Sequence, residues 1–198
     1  MDGYQARTQK KKLAIIEAAR ELFTQRGVSD VSVYDIAEHS GVSHVSIYNY
    51  FGDKKTLAVA ALASYFDRVI ADYEEILEQN LPFSKKLTRL MNYKYAQIEE
   101  VANPFFSSLA LEDEAFQEVI REAAYSKAIP IYKRFIKLGK KEGAISEEIP
   151  TETILDYILQ LMSLLERKEY LQSSEEHKKG MLHLFLYGIM GSTREEGG

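Results

Sequence analysis

Cysteine and tryptophan are both absent from this chain of 198 residues, and proline occurs only four times. Without cysteine there is no disulfide framework, no thiolate ligand for zinc and no cysteine nucleophile. Long apolar runs are lacking too: the run at 181–190 is well short of the ~18 residues that span a bilayer. Charged residues interrupt the apolar stretch at 13–23, so we expect no signal peptide, no membrane span and a cytoplasmic protein.

The chain also has only a small excess of negative charge: it contains 25 Lys and Arg and 30 Asp and Glu, which gives a net charge of −5. The mean charge alone argues against a nucleic-acid-binding protein. Its distribution is uneven, however: residues 1–58 contain eight basic and seven acidic residues, and the remainder contains 17 basic and 23 acidic residues. The acidic excess therefore lies almost wholly in the second part of the chain, although this asymmetry is modest.

Apolar residues recur at three- and four-residue spacing through most of the chain, which is typical of α-helices. Helix start and stop signals predict a first helix ending before Gly27, then helices at about 32–40, 43–50 and 54–78. We found no alternating strand pattern of useful length, no internal repeat and no low-complexity tract. The sequence therefore predicts an all-α fold.

All four prolines lie after the long helix. We expect Pro82 and Pro104 to mark helix starts and Pro130 to kink or break a helix, because proline removes a backbone hydrogen bond inside a helix. Pro150 precedes the first of two apolar helices, predicted at about 152–171 and 174–192.

Two short helices joined by a tight turn that contains glycine are the sequence form of a helix-turn-helix. Ser32 and Asp35 match a capping box at the start of the first helix, and Gly41 supplies a backbone position that tolerates positive φ. On the second helix the ~100° step per residue places four side chains on one face, while Ile47 and Tyr50 point the other way; the four are His44, Val45, Tyr48 and Asn49. Such a short face, led by a helix N-terminus that favours phosphate, suits a recognition helix in a major groove. Many helical proteins contain a similar turn, so the turn alone does not establish DNA binding.

The longer string from Ser32 to Leu57 closely resembles the signature of the TetR family of bacterial transcriptional regulators. In that signature a hydroxyl residue is followed at fixed offsets by Ile-Ala, Gly-Val-Ser, Tyr-x-Tyr-Phe, Lys and Leu; here these are Ser32, Ile36-Ala37, Gly41-Val42-Ser43, Tyr48-x-Tyr50-Phe51, Lys54 and Leu57. One departure is Val45-Ser46, where the family commonly has Gly-Thr. Val45 adds bulk at a point where some members let a base or sugar approach closely.

The resemblance implies an N-terminal three-helix DNA-binding domain at residues 1–53, joined by a long helix to an effector-binding and dimerisation domain at 54–198. It implies a non-enzymatic transcriptional regulator, in most cases a repressor, that leaves a palindromic operator when a small ligand binds. No cofactor and no metal are expected. Ser32 and Lys54 match phosphate-contacting positions, and the DNA-binding residues carried over from the family are Ser32, Ser43, His44, Val45, Tyr48, Asn49, Tyr50 and Lys54.

Aromatic residues are concentrated in the middle of the chain, where twelve of the 22 lie between residues 65 and 135. Most of them fill a helical core, but buried tyrosines need partners for their hydroxyls, and aromatic cavities with a few polar groups are typical small-molecule sites. The family places its effector in this region. We therefore expect an apolar or aromatic ligand beside Phe66, Tyr93, Phe106 and Tyr132.

The last two predicted helices are apolar on more than one face, so each must be buried on two sides. On a monomer the remaining face would be a large exposed apolar patch. The sequence therefore predicts a homodimer through these helices, and the family resemblance implies a four-helix bundle from two subunits.

Other interpretations remain open at this point. An all-α enzyme would need converging catalytic groups, and none is visible in the sequence. A helix-turn-helix protein could also bind DNA in a non-regulatory or effector-independent role. Lys10–Lys12 is either a phosphate-contacting arm or a solvated helix end, while His177 and His183, six residues apart, do not have the spacing of metal ligands on one helix face.

Overall fold

The computed structural model describes residues 3–101, 105, 114–165 and 167–190 of the chain. Within these ranges every regular element is helical, which confirms the predicted all-α class. The α-helices are α1 (Gly3–Arg26), α2 (Val33–Ser40), α3 (His44–Phe51), α4 (Lys54–Glu78), α5 (Phe83–Val101), α6 (Glu114–Arg121), α7 (Ala128–Lys141), α8 (Thr151–Leu165), α9 (Lys168–Leu171) and α10 (Glu175–Met190). None of the helices in the described ranges is long and apolar enough to cross a bilayer.

The chain divides into two compact units. The first comprises residues 1–69 and 101–123, and the second comprises residues 70–100 and 124–198. The division thus falls within α4, after Val69. The functional boundary between residues 53 and 54 stays a prediction from sequence.

The core of the first unit forms because α1, α2 and α3 each bury one apolar stripe. Ile15, Ala19 and Phe23 repeat at four-residue spacing on α1 and are fully buried. Ile36 of α2 and Ile47 of α3 are also almost completely buried. Burying a side chain of this size contributes about 1.5–3 kcal/mol, so these stripes hold the short helices α2 and α3 against α1.

The core of the second unit is built from helices α4, α5, α7 and α8. Its fully or almost fully buried members include Leu77, Phe83, Ile136, Ile145 and Ile158. Gly139 of α7 permits the close approach of this core: a Cβ atom there would lie 2.6 Å from the Cδ1 atom of Ile145 and 2.9 Å from the Cζ atom of Phe83. A side chain at this position would therefore collide with two buried residues.

The predicted break at Pro130 lies a few residues upstream of the proline. Pro130 itself is the third residue of α7, and the segment Glu122–Lys127 before it is a π-helix. Proline cannot donate to the carbonyl of residue 126, and its ring collides with that carbonyl in a regular α-helix. Disruption of the helix is thus displaced into the preceding turn, which adopts the wider π geometry.

The structure confirms one predicted helix start at a proline and corrects the predicted extent of the helix that follows Pro150. Pro82 immediately precedes α5, as predicted, whereas Pro104 lies outside the described residues. The single helix predicted at about 152–171 is wrong: α8 ends at Leu165, and the short helix α9 follows. The backbone N–H of Arg167 donates to the carbonyl of Leu164, three residues back, so the chain tightens here instead of continuing the α-helical ladder.

Candidate nucleic-acid interface and effector cavity

The turn between α2 and α3 has the geometry that the sequence predicts. Gly41 follows α2 in the left-handed region with φ 66° and ψ 20°. A side chain would be strained there although there is open space around the position. Val42, the next residue, is buried, and it anchors the turn to the core of the first unit.

Both short helices begin with side-chain caps. The Ser32 hydroxyl accepts a hydrogen bond from the backbone N–H of Asp35, and the Asp35 carboxylate accepts one from the backbone N–H of Ser32 at 2.7 Å. Hydrogen bonds from the Ser32 hydroxyl and backbone N–H lower the pKa of Asp35 below its ordinary value. At α3, the Ser43 hydroxyl accepts from the backbone N–H of Ser46. These caps fix the N-termini of α2 and α3.

The predicted outward face of α3 is accessible to a partner. Val45 and Tyr48 are 55% and 48% exposed, and both rank among the large apolar side chains that the described surface leaves open. Asn49 and Ser43 are exposed as well, and His44 is partly exposed. Ile47, by contrast, is 2% exposed and holds the helix to the core. The face therefore offers one amide, one imidazole, one phenol, one hydroxyl and one aliphatic side chain to a groove.

His44 has a neighbour that the sequence did not predict. The Tyr34 ring of α2 lies 4.8 Å from the His44 ring, centroid to centroid, at a tilt of 40°. Tyr34 is also 66% exposed. The two rings together extend the outward face from α3 onto α2. Only the helix crossing brings these residues together, since they are ten positions apart in the sequence.

Lys54, the first residue of α4, has a structural role in the loop before α2. Its ammonium donates hydrogen bonds to the carbonyl oxygens of Val28 at 2.8 Å and Val31 at 2.9 Å. A longer contact of 3.5 Å reaches the carbonyl of Ser29. The lysine is only partly exposed. Its predicted phosphate contact stays a prediction, and the hydrogen bonds to the loop add a second task for the same ammonium.

Basic residues of α1 lie beside this interface. The Lys12 ammonium lies 5.6 Å from the centroid of the Tyr50 ring, within cation–π range. Lys10 and Lys11 are exposed. Tyr50, near the end of α3, is partly exposed, and its ring stabilises the positive charge of Lys12 beside the interface.

The second unit contains a cavity of about 110 Å³. Its walls come from α4, α5, α7, α8 and α10 and consist almost entirely of apolar side chains. Among the described lining residues, Tyr73, Lys94 and Tyr132 have polar side chains. A largely apolar cavity with a few polar groups is typical of small-molecule sites.

One of the four predicted ligand residues, Tyr132, lines this cavity. Tyr93 adjoins it: its ring packs edge-on against Tyr73 at 5.2 Å, and its hydroxyl donates to the carboxylate of Asp72 at 2.5 Å. Phe66 belongs to the first unit, where it packs edge-on against Tyr65. Phe106 lies outside the described residues. The set of four stays a prediction, of which the structure brings Tyr93 and Tyr132 to one region.

Lys94 is the residue of this cavity that sequence reasoning missed. It follows Tyr93 on α5, and its ammonium lies 5.4 Å from the centroid of the Tyr73 ring. The pKa of Tyr73 is raised, mainly because a phenolate would lose its hydration here and secondly because Asp72 is negative. The pKa of Tyr132 is raised by desolvation as well, which the charge of Lys94 partly opposes. Both phenols are therefore neutral at physiological pH.

Helices α8 and α10 carry an exposed apolar surface. Leu184 is 66% exposed and Tyr157 is 47% exposed. Gly180 and Gly188 are exposed one turn before and one turn after Leu184. At Gly188 a Cβ atom would lie 2.9 Å from the Tyr157 hydroxyl, whereas at Gly180 it would meet nothing within 4 Å. The Tyr157 side chain thus covers the helix surface at Gly188, whereas the surface at Gly180 is open.

Comparison with known proteins shows that this chain is similar to members of one family in sequence and to their solved structures in fold. The family model described as "Bacterial regulatory proteins, tetR family" matches residues 15–61, which contain the capped helices described above. The HTH-type transcriptional repressor KstR2 of Rhodococcus jostii is 21% identical over 155 residues, covering 75% of this chain and 74% of that protein. KstR2 of Mycobacterium tuberculosis is 25% identical over 115 residues, covering 58% of this chain and 56% of that protein.

Solved structures extend the fold comparison over nearly the whole chain. The regulator FadR from Bacillus subtilis, crystallised in complex with stearoyl-CoA, superposes with a TM-score of 0.59 at 19% identity and covers 89% of this chain and 98% of its own. A TetR transcription regulator from Haloarcula marismortui superposes with a TM-score of 0.67 at 17% identity, covering 92% of this chain and 100% of its own. At these identities the structures establish the shared fold.

Proposed function

We propose that this chain, which belongs to the TetR family of bacterial transcriptional regulators, is a cytoplasmic, homodimeric repressor that a small apolar ligand releases from a palindromic operator. The observation that carries the proposal is the outward face of α3, where Val45, Tyr48 and Asn49 are exposed beside a capped helix N-terminus. Phosphate contacts from Ser32, Tyr50 and Lys54 would position the helix, and His44, Val45 and Asn49 would contact base edges.

The proposed dimer would form through the exposed face of α10 that carries Gly180, Leu184 and Gly188. Exposed leucine costs free energy in a monomer. A Cβ atom at Gly180 would meet nothing within 4 Å, so a second helix can approach closely there. A dimer that joins two such faces would present two copies of α3, which is what two half-sites of a palindrome require.

The effector would bind in the cavity of the second unit. Helix α4 is continuous from Lys54 to Glu78, and near its C-terminal end Tyr73 and Leu77 line the cavity. A ligand that displaces this part of α4 could therefore change the position of Lys54 and its loop. FadR was crystallised in complex with stearoyl-CoA, whose acyl chain is apolar, and this supports a ligand with an apolar part in proteins of this fold. Release of DNA requires that the ligand prefer the conformation that does not bind the operator.

The proposal is tested by selecting DNA from a random duplex pool with the purified full chain and sequencing it. We expect an inverted repeat, and we expect footprinting to protect two half-sites about one helical turn apart. Compounds are then screened for those that both raise the melting temperature and release this operator. Equal binding to selected and random DNA at physiological salt would refute sequence-specific regulation.

A DNA-binding protein without an effector is the alternative. It would yield the same selected sequence, but no compound that stabilises the second unit would change operator affinity. Phe106→Ala and Tyr132→Ala, compared with the parent at the same compound concentration, then test the predicted ligand residues. If both variants release DNA like the parent, these residues do not form the site.

A further inference from the structure

Among the described residues that line the cavity, one side chain carries a formal charge. Lys94 is the charged residue among the side chains that line it, and its neighbours there include Leu90, Met91, Ile131 and Phe135. Leu90 and Lys94 are one helical turn apart on α5, so both project from one face of that helix. The described lining is thus apolar apart from two phenols and the ammonium of Lys94.

The ammonium of Lys94 has no anionic partner among the side chains that the structure describes. Its recorded contacts are the face of the Tyr73 ring and an electrostatic interaction with Tyr132. The nearby carboxylate of Asp72 accepts a hydrogen bond from Tyr93. An ammonium has three N–H donors, and the face of one ring does not replace an anion. Neutral phenols at Tyr73 and Tyr132 do not supply one either.

A cation in apolar surroundings is stabilised by an anion that enters with the ligand, because charge-assisted hydrogen bonds are about twice as strong as neutral ones. On the basis of the proposed effector function, we propose that the ligand of this cavity is an amphiphilic carboxylate. Its carboxylate pairs with Lys94, and its hydrocarbon part fills the space among the leucine, isoleucine and phenylalanine side chains. The sequence predicts an apolar or aromatic ligand, and this proposal adds a negatively charged carboxylate group to it.

The chemistry is tested with probes that share one hydrocarbon chain and differ in their head group. Octanoate, 1-octanol and octylamine are titrated calorimetrically into the full-length protein, with decanoate and dodecanoate to vary chain length. We expect the best carboxylate to bind about tenfold or more tightly than the alcohol of equal length, and the amine to bind more weakly than the alcohol. Equal affinity for carboxylate and alcohol would overturn the proposal, as would the absence of binding by all three carboxylates.

Variants locate the effect. Lys94→Met should lower carboxylate affinity to that of the alcohol and leave alcohol affinity unchanged, whereas Lys94→Arg should retain the preference. Lys85→Met is the matched control, because Lys85 is an exposed lysine on the same helix. Leu90→Trp should abolish binding of both probes by filling the cavity. A carboxylate preference that persists in Lys94→Met would overturn the assignment.

Operator release is measured separately, so that the ligand class and the proposed function can fail independently. A carboxylate that binds through Lys94 without changing operator affinity would uphold the ligand class and refute the effector function. If only neutral apolar compounds released the operator, the effector function would be upheld and the carboxylate ligand class would be refuted. Octanoyl-CoA serves as a further arm: tighter binding of this thioester than of octanoate would show that a larger anionic head group is recognised and would overturn the direct pairing of a carboxylate with Lys94.

Discussion

The ammonium of Lys54 lies 2.8 Å from the carbonyl oxygen of Val28, so the first residue of α4 supports the loop that leads into α2. The second short hydrogen bond, to Val31, reaches the residue just before the cap of α2. A lysine that the family signature assigns to DNA contact is therefore also part of the internal structure of the DNA-binding unit.

Lys54→Ala should weaken binding to every DNA sequence and lower the melting temperature. The lost hydrogen bonds to two carbonyls account for the loss of stability, about 1–3 kcal/mol. Loss of the predicted phosphate contact should reduce the slope of log K against log salt by about one. Lys55→Ala, one residue further along α4, is the control. An unchanged salt slope with a lowered melting temperature would assign Lys54 to the loop alone.

Asn49→Ala should change the order in which operator variants are bound. An amide that makes a bidentate contact with a base contributes about 1–3 kcal/mol of discrimination at that base pair. The measurement is a competition between single-base operator variants, with Lys11→Ala as a comparison that should weaken all variants alike. If Asn49→Ala weakens all operators equally, Asn49 contacts the backbone of the DNA instead.

Asp35 should make stability dependent on pH in the acidic range. Because its folded-state pKa is below the ordinary value of 3.8, the carboxylate stabilises the fold above the unfolded pKa. That contribution is lost as the pH falls through the folded pKa and the carboxyl becomes protonated. The unfolding free energy of the parent should therefore decline more steeply below about pH 4 than that of Asp35→Asn. Parallel curves for the two proteins would show that the cap does not depend on charge.

Leu184→Glu should convert the proposed dimer to a monomer without lowering the helical content. Leu184 is 66% exposed, so the substitution removes few contacts within one chain, but it would place two charges at a shared apolar interface. Leu13→Glu is the matched control, since Leu13 is 54% exposed on α1. Sedimentation at micromolar concentration should give a dimer for the parent and for this control. A dimer for Leu184→Glu would place the interface elsewhere.

Gly139→Ala should destabilise the second unit by about 1–3 kcal/mol, although alanine is usually the better helix former. The added methyl group would meet Ile145 and Phe83, which are both buried and cannot move aside. Denaturant unfolding measures the effect. Ile145→Ala removes both the Cδ1 and the Cγ1 atom, which would lie 2.6 and 2.7 Å from the added methyl group. The double variant should therefore lose less than the sum of the two single losses. Additive losses would show that the methyl group does not collide with Ile145.

Local sequence signals were sufficient for much of this protein. The capping box at Ser32, the glycine at position 41 and the spacing of Val45, Tyr48 and Asn49 are decided within one or two helical turns. The extent of α4 from Lys54 to Glu78 was predicted for the same reason. Helix periodicity and helix caps depend on residues that are close together in the sequence, so they can be predicted from it.

Tertiary structure decided which distant side chains meet. The contact of Tyr34 with His44 depends on the angle at which α2 crosses α3, and the hydrogen bonds of Lys54 depend on the path of a loop more than twenty residues away. Lys94 has the sequence environment of an ordinary surface lysine, and only the packing of five helices surrounds it with apolar side chains. The displacement of the break from Pro130 into the preceding turn is of the same kind, because the neighbouring backbone determines how the helix accommodates a missing donor. The sequence by itself determined helices α1, α2 and α3 of the first unit, the extent of α4 and the DNA-binding signature, because caps and periodicity are local. Packing between residues far apart in the sequence decided the break before Pro130, the end of α8, and the cavity with its charge.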